Sequence, residues 1–147
     1  MARDTFDIRH AKGTTCWEQD PIHAAYLGNA DLAKTDVTIN FSDQSRDLQE
    51  RFPVFWGPFH DYTPDEDNGG NGMHALQLML LQPVGEKLLL IPAWPAGWDA
   101  TFKLHAPENT TVEARVQGGK ITNLTVTPAS RRANVVLVQP DGTLAPF

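Results

Sequence analysis

The spacing of apolar and polar positions changes character twice along the chain. Residues 1–18 are polar and aperiodic, which predicts loop. Asp20-Pro21 is a helix-start pair, with Asp suited to the cap and Pro to the first helical position. Gly28-Asn29 is a stop signal, so a short helix is expected over 21–27. Leu32, Ala33, Val37 and Phe41 recur at helical spacing and predict a second helix over 30–41, although Thr35, Val37, Thr38 and Ile39 are weak helix formers. Residues 42–50 are polar, as in a further short helix or a loop.

A different texture begins at Phe52. Residues 52–59 are aromatic and broken by Pro53 and Pro58, which predicts a loop that packs. Residues 60–72 form an acidic stretch that ends rich in glycine and asparagine, a turn signal. From Met73 to Leu81 only His74 and Gln77 are polar, so a helix over 73–82 is expected to be buried on nearly all sides. After Pro83 the period shifts to two. Lys87 to Ile91 reads as a buried strand, and Thr101 to His105 and Thr111 to Gln117 alternate. Gly118-Gly119 suits a hairpin turn into a partner strand at Ile121 to Thr127. The apolar pattern of that partner slips between Ile121 and Leu124, which predicts a bulge. Val135 to Val138 completes about five strands, enough for a small sandwich. The expected fold class is α+β: a short helical N-terminal segment, residues 1–82, packed on a C-terminal antiparallel β-sandwich, residues 83–147.

Composition narrows the chemistry. The 147 residues are 41% apolar and 20% charged, ordinary values for a globular protein. The net charge of −6, with no basic cluster, argues against a nucleic-acid partner. The runs Leu78-Met79-Leu80-Leu81 and Leu88-Leu89-Leu90-Ile91 are far shorter than the roughly 20 residues of a membrane span, so no membrane partner is expected. The first ten residues contain no apolar signal-peptide core; localisation stays open, with a secreted or periplasmic longer parent protein as one reading. A lone Cys16 excludes an internal disulfide and has no nucleophile companion pattern. There is no Gly-x-Ser-x-Gly and no Gly-x-x-x-x-Gly-Lys, and no cofactor is expected.

The stretch Asp67-Asn68-Gly69-Gly70-Asn71-Gly72-Met73-His74-Ala75-Leu76-Gln77-Leu78-Met79-Leu80-Leu81-Gln82, followed by Leu88-Leu89-Leu90-Ile91-Pro92-Ala93-Trp94-Pro95, resembles the last inner-helix region of family 95 glycoside hydrolases, the α-L-fucosidase and α-L-galactosidase type. Thr111 to Val116 and the Gly118-Gly119-Lys120-Ile121 hairpin are similar to that family's closing β-domain, and the likeness spans residues 52–138. The resemblance implies the end of an (α/α)6 barrel joined to a β-domain. Twelve helices of about 11–12 residues need well over 147 residues, so the chain is expected to be a C-terminal fragment or truncated relative, not a complete enzyme alone.

Inverting glycosidases pair a carboxylic acid with a water-activating carboxylate. The resemblance places the general base at Asp67, with Trp56, His60, Asp65, Asn68, Asn71 and His74 as substrate-binding residues. A carboxylate just ahead of a helix start agrees with that role, and would equally serve as a simple cap. The family has its Asn after the Gly, whereas here the order is Asn68-Gly69, and Asp65 and Glu66 replace uncharged neighbours. That acidic trio is faintly like a calcium loop, but Leu76 stands at its twelfth position and no metal is expected. Trp94 and Trp98, in the helix-to-sandwich connection, read as packing residues, while Glu18, Asp20 and His23 read as cap and surface. The expected partner is carbohydrate, with homo-oligomerisation through an exposed apolar helical surface. The rival readings are a non-catalytic carbohydrate-binding or assembly module, and an unrelated small enzyme on the same scaffold.

Overall fold

A computed structural model describes residues 1–14, 17–42, 67–139 and 141–147, without the side chain of Asn68. The packing loop expected over 52–59, the polar stretch from Asp43 to Glu50, and Cys16, Trp56, His60, Asp65 and Glu66 lie outside the described residues. The fold is α+β: among the described residues there are four α-helices and seven strands in two sheets. The helices are α1 (Ala2–Ile8), α2 (Asp20–Tyr26), α3 (Ala30–Asn40) and α4 (Asp67–Leu80).

Helix α1 replaces the loop expected at the N-terminus. It buries none of its residues, so it has no apolar stripe for periodicity to detect. Helix α2 follows its start and stop signals, but Asp20 is its first helical residue and makes no cap bond. Asn29 caps α3 instead, accepting from the Leu32 N–H at 3.3 Å.

Helix α4 begins six residues earlier than expected, and Asp67 to Gly72 are helical where a turn was predicted. Three glycines disfavour helix by about 1 kcal/mol each. Packing overrides that preference at Gly72, where an added Cβ would lie 3.0 Å from the Phe41 ring and 3.1 Å from Asn40 Cβ. Nor is α4 buried on nearly all sides: Gly69, Gly72, Ala75, Leu78 and Met79 face inward, while Met73, His74 and Gln77 are exposed.

At its other end Leu81 and Gln82 leave the helix for strand β1 (Leu81–Val84), which pairs with β2 (Lys87–Leu90). With β6 (Val135–Val138) and β7 (Leu144–Pro146) they form a sheet ordered β1-β2-β6-β7. Its two edges are the strands the pattern missed. Pro83 and Pro146 are tolerated there because an edge strand leaves one side unpaired. The β2–β6 pair is parallel, so this sheet is mixed. The second sheet, β3 (Ala100–Ala106), β4 (Thr110–Gln117) and β5 (Lys120–Thr127), is an antiparallel meander. Gly118 and Gly119 turn β4 into β5 with φ of 54° and 73°, values an L side chain resists. The bulge falls where the pattern slips: Arg115 pairs with Asn123 and Val116 with Ile121, leaving Thr122 over.

Leu88 and Leu90 of one sheet and Phe102, Val112, Val116 and Val126 of the other share a core with Leu80 and Leu81. A second core of smaller residues, among them Ala24, Ala25, Ala33, Val37, Ala75 and Met79, joins α2, α3 and α4. Trp94 packs against both cores. Its ring meets Trp98 edge-on at 5.5 Å, and its Nε1 donates to the Trp98 carbonyl at 2.8 Å. The tryptophans therefore join the layers, as their place in the connection suggested.

Candidate functional site

Asp67, Asn71 and His74 are spaced four and three residues apart, so they fall on one face of α4. Asp67 and His74 are exposed and Asn71 is half-buried. Asn71 Nδ2 donates to the Glu18 carbonyl at 3.2 Å, tying the start of α4 to the segment that leads into α2. The result is a polar stripe open to solvent, with a carboxylate at the end where backbone N–H groups favour negative charge. Helical geometry brings these three residues together, and the glycine-rich turn that was to present Asp67 does not exist as a turn. His74 lies outside the core, on the face of α4 away from Ala75 and Met79.

Behind this stripe the helical layer holds buried polar groups. Asp36 is 4% exposed, Asp20 8% and Asn40 is fully enclosed. Asp36 and Asn40 share the inward face of α3 with Ala33 and Val37. Arg9 forms an ion pair with Asp20, whose Oδ2 also accepts from the Gly13 N–H at 2.9 Å. The guanidinium stacks 3.9 Å over the Phe6 ring, and Phe6 meets His23 edge-on. Asp20 is thus neither cap nor surface residue. It anchors the N-terminal segment. The Asp36 pKa is raised to about 6, chiefly by burial and next by the Asp20 charge, with Arg9 pulling it back in part.

Arg9, Asp36 and Asn40 were not singled out from the sequence. A signal for two of them exists: Asp36 and Asn40, the buried polar residues of α3, fall at the spacing of its buried stripe with Ala33 and Val37. Arg9 carries none, because its partner is reached only in the fold.

Chemically, a solvent-facing carboxylate at a helix start can take a proton from water, and the neighbouring amide and imidazole can hydrogen-bond a polyhydroxylated ligand. Asp36 retains a proton to higher pH than an ordinary carboxyl, but it is enclosed and serves packing. Among the described residues no group of three His, Cys, Asp or Glu side chains is placed to hold a metal ion, and no helix is long and apolar enough to cross a membrane. A cleft of about 840 Å³ lies at the seam of helices and sandwich, and Asp67, Asn71 and His74 are not among its described lining residues. No protein-family model matches the chain, and no curated protein matches it in sequence.

Proposed function

We propose that this chain is the closing part of a glycoside hydrolase-like protein, related to family 95, that acts on α-linked deoxyhexose or galactose-type sugars. In this reading Asp67 is the base that activates water, and Asn71 and His74 hold the sugar beside it. The partner acid comes from another part of the barrel, so the chain alone is not a complete enzyme. The observation that carries the reading is the open stripe of Asp67, Asn71 and His74 on a helix that runs directly into β1. The exposure of Trp17 (70%), Tyr26 (56%) and Met73 (47%) on the helical layer supports the further proposal that this layer packs against more protein.

The test is a titration of the isotopically labelled chain with α-L-fucosyl and α-L-galactosyl oligosaccharides, followed by NMR. Shifts are expected at the Asn71 and His74 resonances, weakened in Asp67→Asn, with no hydrolysis of the corresponding aryl glycosides by the chain alone. Unmoved Asn71 and His74 signals at saturating sugar would refute the assignment. So would hydrolysis that survives Asp67→Asn unchanged.

A further inference from the structure

We propose that the cleft at the seam between the helical layer and the sandwich binds a small amphipathic carboxylate: an apolar ring or chain with a hydroxyl at one end and an acid group at the other. Its volume, about 840 Å³, is of the size that small-molecule sites have, roughly 300–1,000 Å³. Its lining includes Gln82, a polar side chain only 3% exposed. Gln82 Nε2 spends its two hydrogens on the Ala25 carbonyl at 2.8 Å and the Leu78 carbonyl at 2.9 Å. Two carbonyl acceptors fix which way the amide points. Oε1 is left over. No donor among the described residues reaches it, and Gln82 lines the cleft. A nearly buried amide with an idle acceptor is a place for a ligand hydroxyl.

The walls are apolar, with Ile91, Trp94 and Leu137 among them. Ile91 has φ of 50°, a costly conformation for a β-branched residue. It is held there by its N–H, which donates to the Leu80 carbonyl at 2.8 Å. Backbone held in such a state is found preferentially where a surface is shaped for binding. Among the described lining residues the charged side chains are two cations, Arg3 and Lys120, and one carboxylate, Asp31. Neither cation forms an ion pair with a carboxylate among the described residues. Arg3 instead donates to the carbonyls of Leu27 (2.9 Å) and Gly28 (3.4 Å) at the end of α2. A local excess of positive charge on a chain of net charge −6 selects an anion, and a largely apolar lining suits one with a single charge. This site shares no residue with the α4 stripe and does not depend on the glycosidase reading.

Three probes separate the parts of the proposal by calorimetry: 4-hydroxycinnamate, cinnamate and the methyl ester of 4-hydroxycinnamate. The hydroxy acid is expected to bind saturably and to shift the Gln82 side-chain amide and the Ile91 backbone amide in NMR spectra. Removing the hydroxyl, or masking the acid, is expected to weaken binding up to about tenfold each. Lys120→Gln, a change at an exposed position that leaves the fold intact, is expected to weaken the acid and leave the ester unaffected. The proposal is overturned if the hydroxy acid does not bind at millimolar concentration, or if Gln82 and Ile91 stay unshifted. Equal binding of acid and ester, or of the phenol and its deoxy analogue, overturns it as well.

Discussion

Replacing Asp36 with Asn should make the protein more stable at neutral pH. The Asp36 carboxyl is 4% exposed and titrates near 6, against 3.8 for an unperturbed group. Burial is the larger cause and the Asp20 charge the second, with Arg9 offsetting part of both. The folded state therefore holds this proton more tightly than the unfolded chain does. Between pH 3.8 and 6 the folded state binds more protons, so stability falls as pH rises through that window. The difference of 2.2 between 6 and 3.8, at 1.36 kcal/mol per unit, is a penalty of about 3 kcal/mol above pH 6. Asn has nearly the same shape, carries no charge at any pH and still leaves Arg9 paired with Asp20.

Urea unfolding of wild type and Asp36→Asn at pH 4, 5, 6 and 7 measures this. At pH 4 the two should differ little. By pH 7 the variant should gain up to about 3 kcal/mol, roughly 10 °C in Tm for a chain of this size, with an unchanged m-value. Equal stability at pH 7, or a variant that loses more at pH 7 than at pH 4, would mean that Asp36 is ionised without penalty and that its burial is misread.

Asp20 should respond in the opposite direction. Asp20→Asn removes the acceptor of the Arg9 ion pair and weakens the bond from Gly13, and is expected to cost about 1–3 kcal/mol at pH 7; it should also lower the Asp36 titration midpoint, read by carboxyl NMR, and an unmoved midpoint would show the two carboxylates to be uncoupled. The α4 glycines make a matched pair. Gly70→Ala meets nothing within 4 Å and should stabilise by about 0.5–1 kcal/mol in thermal melts, whereas Gly72→Ala drives a methyl toward Phe41 and Asn40 and should destabilise by about 1 kcal/mol.

What the sequence disclosed follows from where each signal resides. The five expected strands all form: Thr101 to His105 and Thr111 to Gln117 show the period of two directly, and Lys87 to Ile91 and Val135 to Val138 stand out as short apolar runs. Strands β1 and β7 were hidden for separate reasons. Leu81 and Gln82 continue an apolar run that reads as helix until Pro83, and Leu144–Pro146 is too short to show a period. Helix α1 is held by polar contacts that leave no stripe. The early start of α4 could not be read either: intrinsic propensity argues against Asn68-Gly69-Gly70-Asn71-Gly72, and what favours it is the close approach of Phe41 and Asn40. The same misreading hid the common face of Asp67, Asn71 and His74, since residues placed in a turn have no helical face. Asp36 and Asn40 lie on the apolar stripe of α3, but the charges that act on Asp36, Asp20 and Arg9, come from distant parts of the chain.

The join between α4 and the sandwich is the feature on which both proposed sites depend, and it can be tested as a unit. A helix leaves its last carbonyls without intrahelical donors. Here each of three has a donor from beyond the helix: Gln82 Nε2 for Leu78, the Ala93 N–H for Met79 at 3.3 Å and the Ile91 N–H for Leu80. The same Gln82 amide also holds the Ala25 carbonyl of α2. Gln82→Leu keeps the apolar volume but strips both acceptors of a buried partner, at about 1–3 kcal/mol for each carbonyl left unsatisfied. Because these carbonyls belong to α2 and α4, amide exchange should quicken in both helices, while β3, β4 and β5, whose ladder makes no bond to Gln82, keep their protection. If Gln82→Leu instead leaves exchange in α2 and α4 as slow as in wild type, the amide is not what fastens the helical layer to the sheet.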